Sequence, residues 1–181
     1  MDTRDAKGMP VVTMHVLNKL SRGFTLIELI VVMGILGILA TATIAVMDPL
    51  GQIHKSDDVK RKSDLATVQK ALEQYYQDFG KYPAAASNEI VDFKTTQPMP
   101  WGTTWSPYLV VLPKDPTSNR SYVYVVRSDM QGYWLYASLE RTSDPQLCNS
   151  GNPCASAVTN NVSNACGTAC NYVVSSPNVV K

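Results

Sequence analysis

The sequence predicts an α+β fold in which a long N-terminal α-helix packs against a small C-terminal antiparallel β-sheet. Three observations support this class: an apolar run from Phe24 to Met47, a one-sided helical pattern that ends near Phe79, and alternating tyrosine and valine after Ser121. The length of 181 residues suits one domain. The net charge of +1 indicates no general attraction to nucleic acid or anionic lipid.

The apolar run is long enough to span a membrane. Its 24 residues would form a helix of about 36 Å, and the hydrocarbon core of a bilayer is about 30 Å thick. The residues before it include more basic than acidic side chains: Arg4, Lys7, Lys19 and Arg22 against Asp2 and Asp5. The positive-inside rule therefore places the N-terminus in the cytoplasm and everything after Met47 outside it.

Three other interpretations of this N-terminus fit less well. A secretory signal peptide has an apolar region of about 7 to 15 residues before a small-residue cleavage site, which is shorter than this run. A plain signal anchor leaves Glu28 unexplained, because an acid at the centre of a membrane helix costs about 2.5 to 3.5 kcal/mol and less near its ends. A buried core helix would need a second segment to cover its surface, and the sequence offers none.

Residues 21–30 read Ser-Arg-Gly-Phe-Thr-Leu-Ile-Glu-Leu-Ile and resemble the type III signal sequence of type IV prepilins and type II secretion pseudopilins. The resemblance implies that residues 1–23 are a cytoplasmic leader, which a prepilin peptidase removes by cutting after Gly23. The same enzyme would methylate the new amino terminus at Phe24. Translation from Met14 would give a shorter leader without its two acids, and this alternative stays open.

Glu28 is the only ionisable residue from Phe24 to Met47. A carboxylate in hydrocarbon needs a partner, and no basic residue is within reach on its own helix once Arg22 has been removed. The partner is therefore expected from elsewhere. The resemblance supplies the methylated amino group of Phe24 on a neighbouring copy, so that Glu28 would direct assembly and set its register.

Residues 48–82 are predicted to be the extracytoplasmic, amphipathic half of the helix. Apolar residues recur at helical spacing: Leu65, Val68, Leu72, Tyr75 or Tyr76, and Phe79. Gly80 and Pro83 mark the end, and a break is expected near Pro49-Leu50-Gly51. In the family a proline commonly stands where this chain has Ala45, so any unwinding in a filament would fall between Gly37 and Pro49, or would not form.

Residues 83–181 are predicted to form the rest of a globular head. Residues 83–120 read as an irregular connection that Trp101 and Trp105 hold against the helix, with a ligand platform as the alternative. A hairpin follows, with strands in 121–126 and 133–139 and a third strand at 172–175. Residues 112–116 resemble the segment before the sheet of major pseudopilins, and the resemblance implies the pilin fold.

The tail after Glu140 holds all four cysteines: Cys148, Cys154, Cys166 and Cys170. Outside the cytoplasm disulfides persist, and four cysteines allow three pairings. We expect Cys148 to pair with Cys154 and Cys166 with Cys170. The nested pairing of Cys148 with Cys170 and of Cys154 with Cys166 is the main alternative. Their spacing and the lack of a nearby histidine disfavour zinc. No cofactor is expected. Calcium is the alternative, because major pseudopilins often bind it after the last strand. Only Glu140 and Asp144 are acidic in this tail, however, and calcium usually needs more oxygen ligands.

The sequence offers little support for catalysis or for nucleic-acid binding. It has no P-loop, G-x-S-x-G or H-E-x-x-H motif, so the chain is not expected to be an enzyme. The basic residues Lys55, Lys60, Arg61 and Lys62 alternate with Asp57, Asp58 and Asp64. We interpret this stretch as a solvated helix face.

The resemblance implies a structural subunit of a type IV pilus-like filament, which serves adhesion, motility, DNA uptake or protein secretion. The alternative is a type II secretion major pseudopilin that forms a periplasmic pseudopilus, and a signal-anchored extracytoplasmic enzyme or binding protein comes last. Expected partners are further copies of the chain, a prepilin peptidase, an inner-membrane assembly platform and its cytoplasmic ATPase. The subunit would first be a single-pass inner-membrane protein and then part of the extracytoplasmic filament.

Overall fold

The computed structural model describes residues 23–91, 93–94 and 96–179, and it describes only the backbone of residues 44–47. The charges of the predicted leader and the alternative start at Met14 lie outside the described residues. The chain divides into two compact units, one that ends at Met47 and one that begins at Asp48.

The described part of the first unit is one helix, α1 (Leu26–Met47). Gly23, Phe24 and Thr25 precede it in non-helical conformation. The helix continues through Gly37 without interruption, because leucine, isoleucine, valine and alanine dominate its sequence and its backbone groups bond within the helix. Unwinding in a filament stays a prediction.

The second unit begins with helix α2 (Pro49–Phe79), and both of its ends follow from local chemistry. Asp48 has a left-handed backbone (φ 41°), and its Oδ1 accepts a hydrogen bond from the Gly51 amide at 3.2 Å. Pro49 occupies the first helical position, where a missing N–H costs nothing. At the other end Gly80 (φ 65°) donates its amide to the Tyr76 carbonyl at 2.8 Å. The predicted break near Pro49 and stop at Gly80 are confirmed.

Two three-stranded antiparallel sheets follow α2. The first consists of β1 (Ala85–Ala86), β2 (Glu89–Val91) and β3 (Pro98–Met99), and the second of β4 (Val123–Val126), β5 (Tyr133–Ala137) and β6 (Tyr172–Ser175), each in chain order. A short helix, α3 (Ala155–Thr159), lies in the tail. The hairpin and the third strand are confirmed. The prediction of an irregular connection was wrong for β1 to β3, because such short strands carry almost no periodic signal.

The larger core lies between α2 and the sheet of β4, β5 and β6. Leu65, Val68 and Leu72 of α2 belong to this core, together with Leu135 of β5. Trp105 is 2% exposed, and its ring centroid lies 6.0 Å from that of Tyr75. This contact confirms that Trp105 holds the connection against the helix. The core that α2 shares with the sheet confirms the α+β architecture.

A second, smaller core covers the opposite face of this sheet. Successive residues of a strand point to opposite faces, and Tyr136 lies in the second core whereas Leu135 lies in the first. Val123, Val173 and Ala157 of α3 also lie in the second core. The tail therefore forms a layer over the sheet, so both faces of β5 are covered.

The four cysteines form two disulfides within this layer. Cys148 pairs with Cys154 and Cys166 with Cys170, with Cα–Cα distances of 4.9 and 5.4 Å. This is the local pairing that the sequence favours over the nested one. The two disulfide loops also bond to each other, since the Cys154 amide donates to the Cys170 carbonyl at 2.9 Å.

Candidate assembly site

The predicted processing point lies just before α1. Gly23 and Phe24 are both exposed, and the side chain of Phe24 is 86% exposed. Since α1 begins at Leu26, the peptide bond between Gly23 and Phe24 lies outside the helix. Exposed, non-helical backbone of this kind can enter the active site of a peptidase without unwinding a helix.

Glu28 forms a local hydrogen-bonded motif that sequence reasoning missed. Its Oε2 accepts hydrogen bonds from the amide and the hydroxyl of Thr25, each at 3.3 Å. In return the Glu28 amide donates to the Thr25 Oγ1 at 3.3 Å. This is a capping box, in which a threonine before the first helical residue and a glutamate three positions later satisfy each other. The signal was present in the sequence as Thr-x-x-Glu ahead of an apolar run.

This motif corrects one step of the sequence argument, which expected the partner of Glu28 to come only from elsewhere. Part of the hydrogen-bonding capacity of the carboxylate is satisfied by Thr25 on the same helix. Both donors are neutral, however, so they leave the negative charge without a compensating positive charge. A charged partner would therefore still stabilise Glu28 in an apolar environment.

The rest of α1 presents an apolar surface on all sides. Residues Leu26–Thr43 are long and apolar enough to cross a membrane, by length and composition alone, and none of them is buried within the single chain. A helix that is apolar all round requires either lipid or other protein around it. The single chain covers α1 with neither.

A buried charge centre lies in the head, around Arg61 of α2. The Arg61 side chain is fully buried, and its Nε and Nη2 donate to Asp115 at 2.9 and 3.0 Å. Nη2 also donates to Glu140 at 2.9 Å, and Nη1 donates to Asp58 at 3.0 Å. One guanidinium thus joins α2 to the segment that precedes β4 and to the segment that follows β5.

The partners of Arg61 are themselves fixed by other groups. Asp58 accepts hydrogen bonds from the amides of Glu140 and Arg141 at 2.9 and 3.0 Å. Glu140 also contacts His54 Nδ1. Burial acts to lower the pKa of Arg61, but its hydrogen bonds to Asp115, Glu140 and Asp58 outweigh this effect and raise it. Arg61 is therefore protonated at every ordinary pH.

This centre contradicts part of the solvated-face interpretation of the basic stretch in α2. Arg61 and Asp58 are 0% and 1% exposed, and Lys62 is partly buried with its Nζ 2.6 Å from Asp144 Oδ2. The charged residues face the head because Asp58 and Arg61 stand seven and four positions before Leu65, on the same helix face. That spacing was the signal by which the sequence could have revealed them.

The carboxylates considered for calcium are engaged by basic side chains. Glu140 bonds to Arg61, and Asp144 bonds to Lys62. Burial acts to raise the pKa of each carboxyl, but the hydrogen bonds from these cations outweigh it and lower the pKa. Within the described ranges no group of three or more metal-ligating side chains is arranged to hold a metal ion.

Two known families match successive parts of this sequence. Residues 18–44 match "Prokaryotic N-terminal methylation motif", and residues 48–140 match "Type II secretion system (T2SS), protein G". The second match covers half of the chain and leaves the disulfide-containing tail outside. No solved structure matches the chain.

Several curated relatives carry the name "Type II secretion system core protein G". The protein of Vibrio cholerae is 38% identical over 59% of this chain and 72% of its own length, and that of Escherichia coli K12 is 33% identical over 65% and 80%. The match to the Pectobacterium carotovorum protein, at 37% identity, spans 52% of this chain and 61% of that protein. The chain therefore belongs to the protein G family of the type II secretion system, a family of structural pseudopilins.

Proposed function

We propose that this chain is a structural subunit that polymerises through α1 into a periplasmic pseudopilus of a type II secretion system. It is not expected to catalyse a reaction. The matched family and the names of its members favour this role over an adhesive or motile pilus. Its partners would be further copies of itself, a prepilin peptidase, an inner-membrane assembly platform and a cytoplasmic ATPase.

The observation that carries the proposal is the uncovered apolar surface of α1. Eighteen consecutive residues, Leu26–Thr43, are exposed in the single chain. At about 25 cal/mol for each Å² of apolar surface, exposing such a helix to water would cost tens of kcal/mol. The subunit must therefore stay in the membrane until copies of α1 cover one another, which makes leaving the bilayer and joining the filament a single step.

Glu28 gives this transfer its register. Its charge is not compensated by the two Thr25 donors, and removal of residues 1–23 would create a positive amino group at Phe24. Pairing Glu28 of one copy with the amino terminus of the next would neutralise two charges that are otherwise costly to place among apolar helices. Other axial offsets of the helices would leave both charges unpaired.

Glu28→Gln tests this role, and Thr25→Ala is its matched control. Glutamine retains the capping box, because its amide oxygen accepts the Thr25 hydrogen bonds, but it removes the charge. Thr25→Ala retains the charge and removes the cap, at a cost to the helix of about 1 kcal/mol. We expect Glu28→Gln to leave processed, membrane-held monomer with little filament, and Thr25→Ala to assemble. Sheared filament and membrane-held monomer are compared for each variant.

If Thr25→Ala reduced the filament yield and Glu28→Gln did not, Glu28 would act only as a helix cap, and charge pairing would be contradicted.

Processing is tested separately, by the intact mass and N-terminal sequence of filament subunits. We expect the chain to begin at Phe24 with one added N-methyl group. Assembled subunits that retain Arg22 and Gly23 would refute cleavage after Gly23.

The head is proposed to fold without a bound metal. Arg61 donates hydrogen bonds to three surrounding carboxylates, Arg120 Nε lies 3.9 Å from one of them, Glu140, and Lys62 contacts Asp144. Thermal unfolding of the head with added calcium and with excess chelator should therefore give the same midpoint. A rise of several degrees with calcium would show that the ion binds the folded head and would contradict this proposal.

A further inference from the structure

Three partly exposed aromatic side chains lie around the buried Tyr75 near the end of α2. Phe79 is 40% exposed and Phe93 is 42% exposed, and their ring centroids lie 4.8 Å apart. Both rings contact Tyr75, whose ring centroid lies 5.3 Å from that of Tyr108. We name Phe79, Phe93 and Tyr108 the aromatic patch. Aromatic residues are enriched in protein interfaces relative to the rest of the protein surface.

Contacts with neighbouring residues hold the rings of the aromatic patch in place. Tyr75 is 4% exposed and packs against the buried Trp105. Trp105 and Leu109 exchange backbone hydrogen bonds at 3.1 and 2.8 Å, which fix the turn that carries Tyr108. The Tyr108 hydroxyl donates to Asp78 at 2.9 Å. A partner that binds this surface therefore meets rings that are already ordered and loses little conformational entropy on their account.

A recess lies beside the rings. It has a volume of about 320 Å³ and is lined by residues that include Phe79, Phe93, Tyr82 and Met130. A recess of this size accepts one or two apolar side chains. The surface thus combines flat aromatic rings with a cavity, which is the arrangement of a binding hot spot in a protein interface.

The area of the patch indicates which kind of partner it fits. A phenylalanine exposes roughly 150 to 250 Å², so the exposed two-fifths of Phe79 and Phe93 amount to on the order of 150 Å². A stable complex between separate proteins buries about 800 Å² on each side. The patch alone is too small for that, but a small contact suffices between subunits that another element already holds together, because the local concentration is then in the millimolar range.

We propose that the aromatic patch contacts the globular head of a second copy of this chain in the assembled filament. The inference rests on the proposed polymerisation through α1, which would supply the high local concentration. The receiving surface on the second copy must differ from the patch itself. A patch that met its own counterpart would close a two-fold dimer, whereas an open filament needs a contact between two different surfaces.

Photo-cross-linking tests the contact directly. p-Benzoylphenylalanine replaces Phe93 in the full-length chain, which keeps an aromatic ring in place. The same residue replaces Val158 as the control, because Val158 of α3 is 60% exposed and lies outside the patch. In assembled filaments we expect the probe at 93 to give an adduct of two copies, joined to a residue other than 93. We expect the probe at 158 to give at least about fivefold less adduct, since local contact rather than exposure decides the yield.

A pair of substitutions measures the contribution to assembly. Phe93→Ser should lower the ratio of filament to membrane-held monomer roughly tenfold, which corresponds to about 1.4 kcal/mol per contact. Val158→Ser should leave the ratio within about twofold, as expected of a surface change away from contacts. The thermal midpoint of each head is measured alongside, so that loss of folding is recognised.

The cross-linking results distinguish the proposed contact from its alternatives. Filaments in which the probe at 93 cross-links to no other copy, or only to a different protein, would overturn the inference and leave polymerisation through α1 intact. Adducts between position 93 of two copies would identify a two-fold contact and would also overturn it. If the unmodified chain formed no filaments, the proposed function itself would fail, and the inference with it.

Discussion

The two helices of this chain bury apolar surface in different ways. Every described side chain of α1 is exposed in the single chain, whereas α2 buries seven residues along one side. The helix α1 is apolar on all sides, and α2 has one apolar side that the head covers. The described part of the head covers the apolar side of α2, whereas α1 would need lipid or other protein around it.

The charged residues of the two helices differ in the same way. Arg61 of α2 is fully buried among three carboxylates of its own chain. Glu28 of α1 is exposed, and among the described residues its side chain accepts hydrogen bonds from neutral groups of Thr25. The positive charge in α2 is thus compensated by folding, and we propose that the negative charge in α1 is compensated on assembly.

The largest difference in head stability should come from these two charges. Arg61→Met leaves three carboxylates without their common partner and should lower the free energy of unfolding of the head by about 3 to 5 kcal/mol. Glu28→Gln should leave it unchanged, because the residue lies outside the head. Urea unfolding followed by tryptophan fluorescence measures both.

A control for Arg61 lies next to it in the sequence. Lys60 is 55% exposed, with its Nζ 3.8 Å from Asp64, and Lys60→Met should change stability by less than about 1 kcal/mol. Equal losses from Arg61→Met and Lys60→Met would mean that burial of the charge centre contributes nothing to stability.

The next largest difference in head stability should come from the same leucine-to-alanine substitution made in each helix. Leu72 is 0% exposed in the core beneath α2, so Leu72→Ala should cost about 3 kcal/mol in the unfolding of the head. Leu36 of α1 is 54% exposed, and Leu36→Ala should leave the head unchanged. Membrane-held protein in mild detergent is the sample for both. A comparable loss from Leu36→Ala would show that α1 has a partner within the chain.

The tail provides a smaller effect and tests whether the first core depends on the second. Replacing Cys166 and Cys170 together by alanine opens a loop with a sequence separation of 4, which should cost about 2 kcal/mol. Hydrogen exchange should show faster opening of β6 and α3 than of α2. Equal acceleration in α2 would mean that the two cores unfold as one.

The smallest effect should be the dependence on pH. The pKa of Glu140 lies below its ordinary value of 4.5 in the folded head, because the hydrogen bond from Arg61 outweighs burial. A lowered pKa stabilises the folded state above the ordinary value, and this stability is lost as pH falls below about 4.5. Glu140→Gln should flatten that dependence. An unchanged slope between pH 5 and 3 would exclude Glu140 as its source.

The sequence by itself determined the features that depend on neighbouring residues. The end of α2 follows from Gly80, and the break between α1 and α2 follows from Pro49, because these residues act on the backbone within one turn. The hairpin and the pairing of cysteines that are close in sequence are local in the same sense. The membrane helix was predictable because its apolar composition alone excludes water, whatever the rest of the chain does.

Only the tertiary structure decided which distant carboxylates surround Arg61. Arg61 lies 54 positions from Asp115 and 79 from Glu140 in sequence, so no local pattern links the three. Taken one at a time, each reads as an exposed charge, since burying an unpaired charge is prohibitively unfavourable. The fold brings them together and supplies each with its partner, and this mutual compensation is a property of the folded chain that no short segment contains.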